Sequence, residues 1–263
     1  MILFVFEGAN REPTLFKTLE FLYFSNKKET RICSYNNNIY NLYKQMTQSD
    51  FPEDIITILK KKLVKDKDNP LNEIECRSDF SEIYLFFDYD SHNNTNQELS
   101  DKQTKEMLQF FNDESSDYGK LFINYPMVES ISYAKKELPD NDYFYYTTPI
   151  SLGKKFKEKL NNESFYKNLD FITFRINKKT LLLNVPNDEK CINIVKKNWN
   201  YLLDMNVKKA NYLCTNEISF PKTNESVSQQ KIFENQLLKY VQPRSEISIL
   251  NSFPLFIYEY MYK

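Results

Sequence analysis

Three short apolar runs in the first half of the chain are each followed by an acid. Ile2-Leu3-Phe4-Val5-Phe6 leads into Glu7 and Gly8. Ile83-Tyr84-Leu85-Phe86-Phe87 leads into Asp88-Tyr89-Asp90. Leu121-Phe122-Ile123-Asn124-Tyr125-Pro126 is followed by Glu129. Runs this short, without polar alternation and rich in aromatic and β-branched residues, predict strands buried on both faces. Between them the spacing turns helical. Leu15, Phe16, Leu19, Phe21, Leu22 and Phe24 mark a first helix, with Pro13 suited to its first turn. Residues 30–35 fit another strand, and residues 36–38 a turn or cap. Residues 39–46 resume helical spacing. Residues 50–64 read as a helix capped near Asp50, and residues 99–112 as one with Leu99, Met107, Leu108, Phe110 and Phe111 at its apolar positions. Strands alternating with helices predict βαβ units and a mainly parallel sheet, an α/β fold.

The pattern changes from about residue 140. Residues 142–146 suit a short strand or an aromatic surface segment. Residues 153–161, 178–183, 190–205, 227–241 and 247–262 read as helices, and no acid-terminated strand is seen among them. The expected division is a sheet domain over residues 1–140 and a mostly helical region over residues 141–263. No repeat or low-complexity linker marks the boundary. The aromatics of the second region are assigned to its core.

Composition narrows the classes of function. A chain of 263 residues has ample length for a core. Its 35 basic and 36 acidic side chains give a net charge of -1, so a polyanion site has to be a local patch or rely on metal. Lys60-Lys61-Lys62 fits a helix C-terminus favoured by the dipole, or alternatively a phosphate-contacting patch. Four cysteines stand far apart, with no C-x-x-C pair and one histidine, His92, which argues against structural zinc. The first apolar run is too short for a signal peptide, and none reaches membrane-spanning length. A cytoplasmic protein with reduced thiols, having no membrane partner, is expected.

The acids carry the candidate chemistry. Glu7 is placed at the carboxyl end of a central strand, the edge where open α/β sheets bind ligands. Gly8 is expected to permit the tight turn after it. Glu12 is expected at the start of the next helix, close to Glu7, either as a functional acid or as a helix-start acid. Asp88 and Asp90 are one residue apart, and a loop at the strand end would let both converge on one cation. Like charges held together disfavour ionisation unless a cation intervenes, and an oxygen-only donor set suits Mg²⁺ or Mn²⁺. His92 reads as a loop or supporting residue. Glu129 is expected where strand turns into helix, as a helix-start acid or as the holder of a second ion.

Glu7-Gly8 at one strand end and Asp88-x-Asp90 at a later one resemble the signature of the Toprim fold. The longer string Glu7-Gly8-x-x-x-Glu12-Pro13-x-x-Phe16 resembles the RloB-type and related Toprim proteins of bacterial phage-defence and abortive-infection systems. Asn124-Tyr125-Pro126-Met127-Val128-Glu129 resembles their third motif, usually an Asn-Pro pair followed by Glu, with Tyr125 here separating the pair. The resemblance covers roughly residues 1–135.

It implies a Mg²⁺- or Mn²⁺-dependent nuclease. Glu7 would act as general acid/base or ligand. Asp88, catalytic together with Glu7, and Asp90 would be ligands, and Glu12 and Glu129 would complete a second metal site. Lys120, Lys135 and Lys136 are candidates for the phosphate. The implied partners are a nucleic-acid substrate, RNA (transfer RNA included) or DNA, and an ABC-type ATPase encoded beside this chain. The chain itself carries no Gly-x-x-x-x-Gly-Lys-Ser/Thr loop. Self-association into a homo-oligomer is left open. The alternative is a non-catalytic Toprim-like binding or regulatory subunit; a nucleotidyl transferase or primase part is weaker.

Overall fold

In the computed structural model the described residues are 1–24, 29–47, 53–64, 69–89, 97–177 and 182–262. The fold is α/β, built on a mostly parallel five-stranded sheet in the order β2-β1-β3-β5-β4. These strands are β1 (Ile2–Phe6), β2 (Thr30–Ser34), β3 (Glu82–Asp88), β4 (Asn112–Asp113) and β5 (Gly119–Asn124). β1 pairs in parallel with both β2 and β3, with Phe6 opposite Ser34 and Phe86. The short β4 is antiparallel to its neighbour β5. The chain separates into two compact units. One holds residues 1–87 and 102–122; the other holds residues 88–101 and 123–263. The last residue of β3 and the last two of β5 therefore belong to the second unit, which also takes in both sides of the boundary expected near residue 140.

In the first unit all five residues of β1 are fully buried, which explains why the run shows no alternation. Phe4 and Phe6 share one face of the strand. Phe16 of α1 (Arg11–Leu19) lies over Phe4, with ring centroids 3.9 Å apart, and Phe86 stacks on Phe122 at 5.4 Å. α1 widens into a π turn over Glu20–Phe24. α2 (Ile39–Thr47) follows Asn38, whose side chain accepts from the Asn41 N–H at 3.0 Å. α3 spans Ile55–Leu63, a later start than the expected residue 50. Asp54 caps it, accepting from the Ile56 and Thr57 N–H groups at 2.9 and 3.1 Å. Asp50 lies outside the described residues. α4 (Gln97–Phe110) carries Met107 and Leu108 into the core, whereas Leu99 is exposed.

The second unit corrects several expectations. Residues 142–146 contain a 3₁₀ turn, Tyr143–Tyr145, with Tyr143 buried and Tyr145 exposed. Leu182 and Leu183 lie in strand β8 (Leu182–Asn184), not in a helix. β8 pairs antiparallel with β7 (Arg175–Asn177). Residues 178–181 lie outside the described set. Ile247 is likewise in a strand: β9 (Glu246–Ser248) pairs antiparallel with β6 (Thr147–Pro149). Each strand of these pairs has only three residues, too few for a spacing that distinguishes a strand from a helix end, and β6 and β9 lie far apart in sequence.

The remaining elements are helical: α5 (Phe156–Glu163), the long α6 (Glu189–Thr215), α7 (Gln229–Gln236), a single turn α8 (Gln242–Arg244) and α9 (Ser252–Met261). As expected, many large aromatics of this region are core, although Tyr145, Phe165, Phe220 and Tyr262 are exposed. Trp199 is fully buried and donates its indole N–H to the Ile172 carbonyl at 2.7 Å. Lys209 is buried as well. Its ammonium donates to the Tyr143 and Tyr146 carbonyls at 2.8 and 2.9 Å, and burial pushes its pKa far down. Among the described residues no helix is long and apolar enough to cross a membrane.

Candidate functional site

Glu7 follows β1 directly. Its N–H donates to the Phe86 carbonyl at 3.0 Å, so β1 and β3 stay paired to the point where the acid appears. Four residues on, Glu12 lies in the first turn of α1 and is 5% exposed. Its Oε1 accepts from the Gly8 N–H at 3.1 Å, which folds the carboxylate back over the strand-to-helix turn. An acid in a first helical turn also meets the positive end of the helix dipole. The expectation for Gly8 needs correction. The glycines with positive φ are Gly119 and Gly153, so Gly8 does not serve by adopting a left-handed backbone. Its contribution is space: a Cβ added there would come within 3.0 Å of Glu12 Oε2.

Asp88 ends β3 and is held differently. Its Oδ1 accepts from the Val128 backbone N–H at 2.8 Å and from the Asn124 side-chain amide at 3.1 Å. Asn124 is fully buried, and its own carbonyl oxygen accepts from Ser252 N–H at 3.1 Å and Ser252 Oγ at 2.7 Å. The Ser252 N–H can only donate, so it fixes which end of the Asn124 amide faces Asp88. Tyr89 then leaves the strand with its N–H on the Asn124 carbonyl at 3.0 Å and its hydroxyl on Asp101 at 2.8 Å. The sequence points to Asp88 and contains Asn124 in the third motif. It offers no signal that Ser252, at the start of the last helix, reaches them.

Glu129 lies in a 3₁₀ turn, Val128–Ser132, not at the start of an α-helix. It is 5% exposed, so it is no surface helix-start acid, and its Oε1 pairs with Lys157 Nζ at 3.0 Å. The candidate phosphate lysines have carboxylate partners. Lys120 lies 3.7 Å from Glu114, Lys135 lies 3.3 Å from Glu163, and Lys136 pairs with Asp142. The lysines ending α3 are also engaged. Lys60 donates to the Ile74 carbonyl, Lys61 pairs with Glu53, and Lys62 sits 3.6 Å from the centre of the Tyr35 ring. Together with Asn41 and Lys44, Lys61 and Lys62 line a cleft of about 780 Å³.

Asp90 and His92 lie outside the described residues. Among the described residues no three His, Cys, Asp or Glu side chains form a group able to hold a metal ion. The donors at the two strand ends are carboxylate oxygens, the type a hard divalent cation takes. Two donors that already hold Asp88 Oδ1 keep that carboxylate in one orientation, which suits a ligand. No protein-family model, curated protein or solved structure matches this chain.

Proposed function

We propose that the chain is a Toprim-like, divalent-metal-dependent nuclease. It would hydrolyse phosphodiester bonds of RNA, transfer RNA included, or of DNA, as the effector of a phage-defence system working with an ABC-type ATPase. One observation carries the reading. β1 and β3 run in parallel with Phe6 opposite Phe86, and the chain leaves these two strands through Glu7 and Asp88. The carboxyl edge of such a sheet is where α/β proteins bind ligands.

Glu7, Asp88 and Asp90 would hold the ion. When bound, a divalent cation neutralises the phosphate and stabilises the attacking and leaving oxygens. Asn124 and the Val128 N–H keep the Asp88 carboxylate oriented. Glu12 ties down the turn that follows Glu7. Use of Glu129 at a second ion would require it to give up Lys157.

The test is cleavage of RNA and DNA by the purified chain, with and without its ATPase. Activity is expected in Mg²⁺ or Mn²⁺, lost in EDTA, and abolished by Glu7→Ala and by Asp88→Ala. Undiminished cleavage in EDTA would overturn the reading. Nucleic-acid binding with no cleavage under any metal would favour the regulatory-subunit alternative.

A further inference from the structure

The two donors that hold Asp88 trace back to one dipeptide at the start of α9. Ser252 takes the Asn124 side-chain oxygen with both its N–H and its hydroxyl, at 3.1 and 2.7 Å. Asn251 donates its side-chain amide to the Val128 carbonyl at 3.1 Å and to Ser130 Oγ at 3.0 Å. Val128 supplies the backbone N–H that Asp88 accepts, so Asn251 grips the residue that grips the acid. The oxygen of Asn251 is used too: it caps α9 by accepting from Phe253 N–H at 3.1 Å. Its backbone N–H goes to Asn206 Oδ1 at 2.9 Å, and Asn206 accepts in turn from the Tyr143 hydroxyl at 2.8 Å. One residue earlier, Leu250 exchanges two backbone hydrogen bonds with Tyr125, at 2.8 and 3.0 Å.

Asn124, Asn251 and Ser252 are all fully buried. In such a site an unmade hydrogen bond is costly, and a fully paired network admits one arrangement. A helix start needs only a cap, which Asn251 already supplies. The further contacts, from Ser252 to the Asn124 side-chain oxygen and from Asn251 to the Val128 carbonyl, converge on the two residues that donate to Asp88.

We propose that Asn251 and Ser252 are positioning residues for Asp88, setting the orientation of its carboxylate for a divalent cation. The cation part rests on the metal-dependent reading above; the coupling from Ser252 to Asp88 does not.

Two measurements separate them. The first is Mn²⁺ affinity by titration calorimetry of the full chain, for the wild type, Ser252→Ala and Ser252→Thr. Ser252→Ala should weaken Mn²⁺ binding about 10–100-fold, the usual cost of losing a group that orients a ligand. Ser252→Thr, which keeps the hydroxyl, should restore most of it. Mn²⁺ affinity within about twofold of wild type in a folded Ser252→Ala protein would overturn the proposal, that margin being small against the expected loss. If Ser252→Ala does not fold, Ser252→Cys, which keeps the volume but donates weakly, takes its place and is read the same way.

The second measurement needs no metal. It follows the Asn124 side-chain amide and the Val128 backbone amide in ¹⁵N spectra. Both should shift in Ser252→Ala and in Asp88→Asn, and return in Ser252→Thr. If neither moves in Ser252→Ala, the coupling is wrong. If both move while the wild type binds no Mn²⁺, the positioning stands and the metal reading falls.

Discussion

The acid that follows β1 and the acid that ends β3 are fixed in opposite ways. The Glu7 turn is assembled locally: Glu12 reaches back four residues to the Gly8 N–H, within the first turn of α1. The Asp88 corner is assembled from afar. Its donors come from residues 124 and 128, which are held by residues 252 and 251, 128 and 123 positions further along the chain, respectively. A local turn forms with the helix that contains it and loses little when one contact is removed. A corner tied by several buried long-range bonds is all or nothing, because each missing partner strands another polar group.

That contrast can be broken most severely at Asn124. Asn124→Ala leaves the Ser252 hydroxyl and N–H without their acceptor and takes from Asp88 one of its two donors. Each buried group so stranded costs about 1–3 kcal/mol. The urea midpoint should drop by the equivalent of at least about 2 kcal/mol. A loss under about 0.5 kcal/mol, the range of an ordinary surface change, would show the corner to be as tolerant as the turn.

A smaller effect is expected at another tie of the same unit. Tyr133 donates its hydroxyl to Glu163 Oε2 at 2.5 Å, and this bond, helped by Lys159 and Lys135, holds the Glu163 carboxyl down at about 2. A depressed folded pKa stabilises above the ordinary carboxylate value of 4.5, and that stability is lost as pH falls through the folded value, about 2. The side chain is 36% exposed, so solvent screening leaves roughly 1 kcal/mol. Glu163→Gln should therefore be less stable than wild type at pH 7, with the gap closing as pH falls below the ordinary value. Unfolding curves at several pH values read this directly, and a gap independent of pH would contradict it.

The smallest effect belongs to the local turn. Gly8 has no left-handed backbone to protect, and the atoms an added methyl would meet are the end of a flexible Glu12 side chain. Gly8→Ala should shift stability by no more than about 0.5 kcal/mol, with Glu12 moving by a few tenths of an ångström. A loss above about 2 kcal/mol in thermal or urea unfolding would mean that the turn is as tightly coupled as the corner.

The same contrast explains what the sequence discloses. β1 and β3 are legible because burial on both faces demands unbroken apolar runs, and their ends are legible because an acid cannot continue such a strand. The Glu12 turn is also readable, since helix-start chemistry acts over four residues. α3 begins later than expected because Asp54 makes the capping bonds. The strands β8 and β9 were not legible, because three residues leave no period to count, and the partner of β9 lies far away in the sequence. Ser252 was hidden for the same reason. Asn251 and Ser252 fell inside the helix expected over residues 247–262, and nothing in the residues themselves says that the helix start they form is also a fastening for Asp88. Glu129 shows the remaining limit: an acid near a strand end looks the same in sequence whether it faces solvent or, as here, is buried against Lys157.

The fastening of Asp88 has a consequence in time as well as in space. A chain emerges from the ribosome from its N-terminus, and segments begin to fold as they appear. The β1 turn has all its parts once residue 19 has been made. The Asp88 corner lacks its anchor until residue 252 has been made, however early β3 itself is in place. A partly synthesised chain thus carries the acid without the groups that aim it. If the chain is the proposed nuclease, this order of assembly would withhold an aimed Asp88 from the unfinished polypeptide.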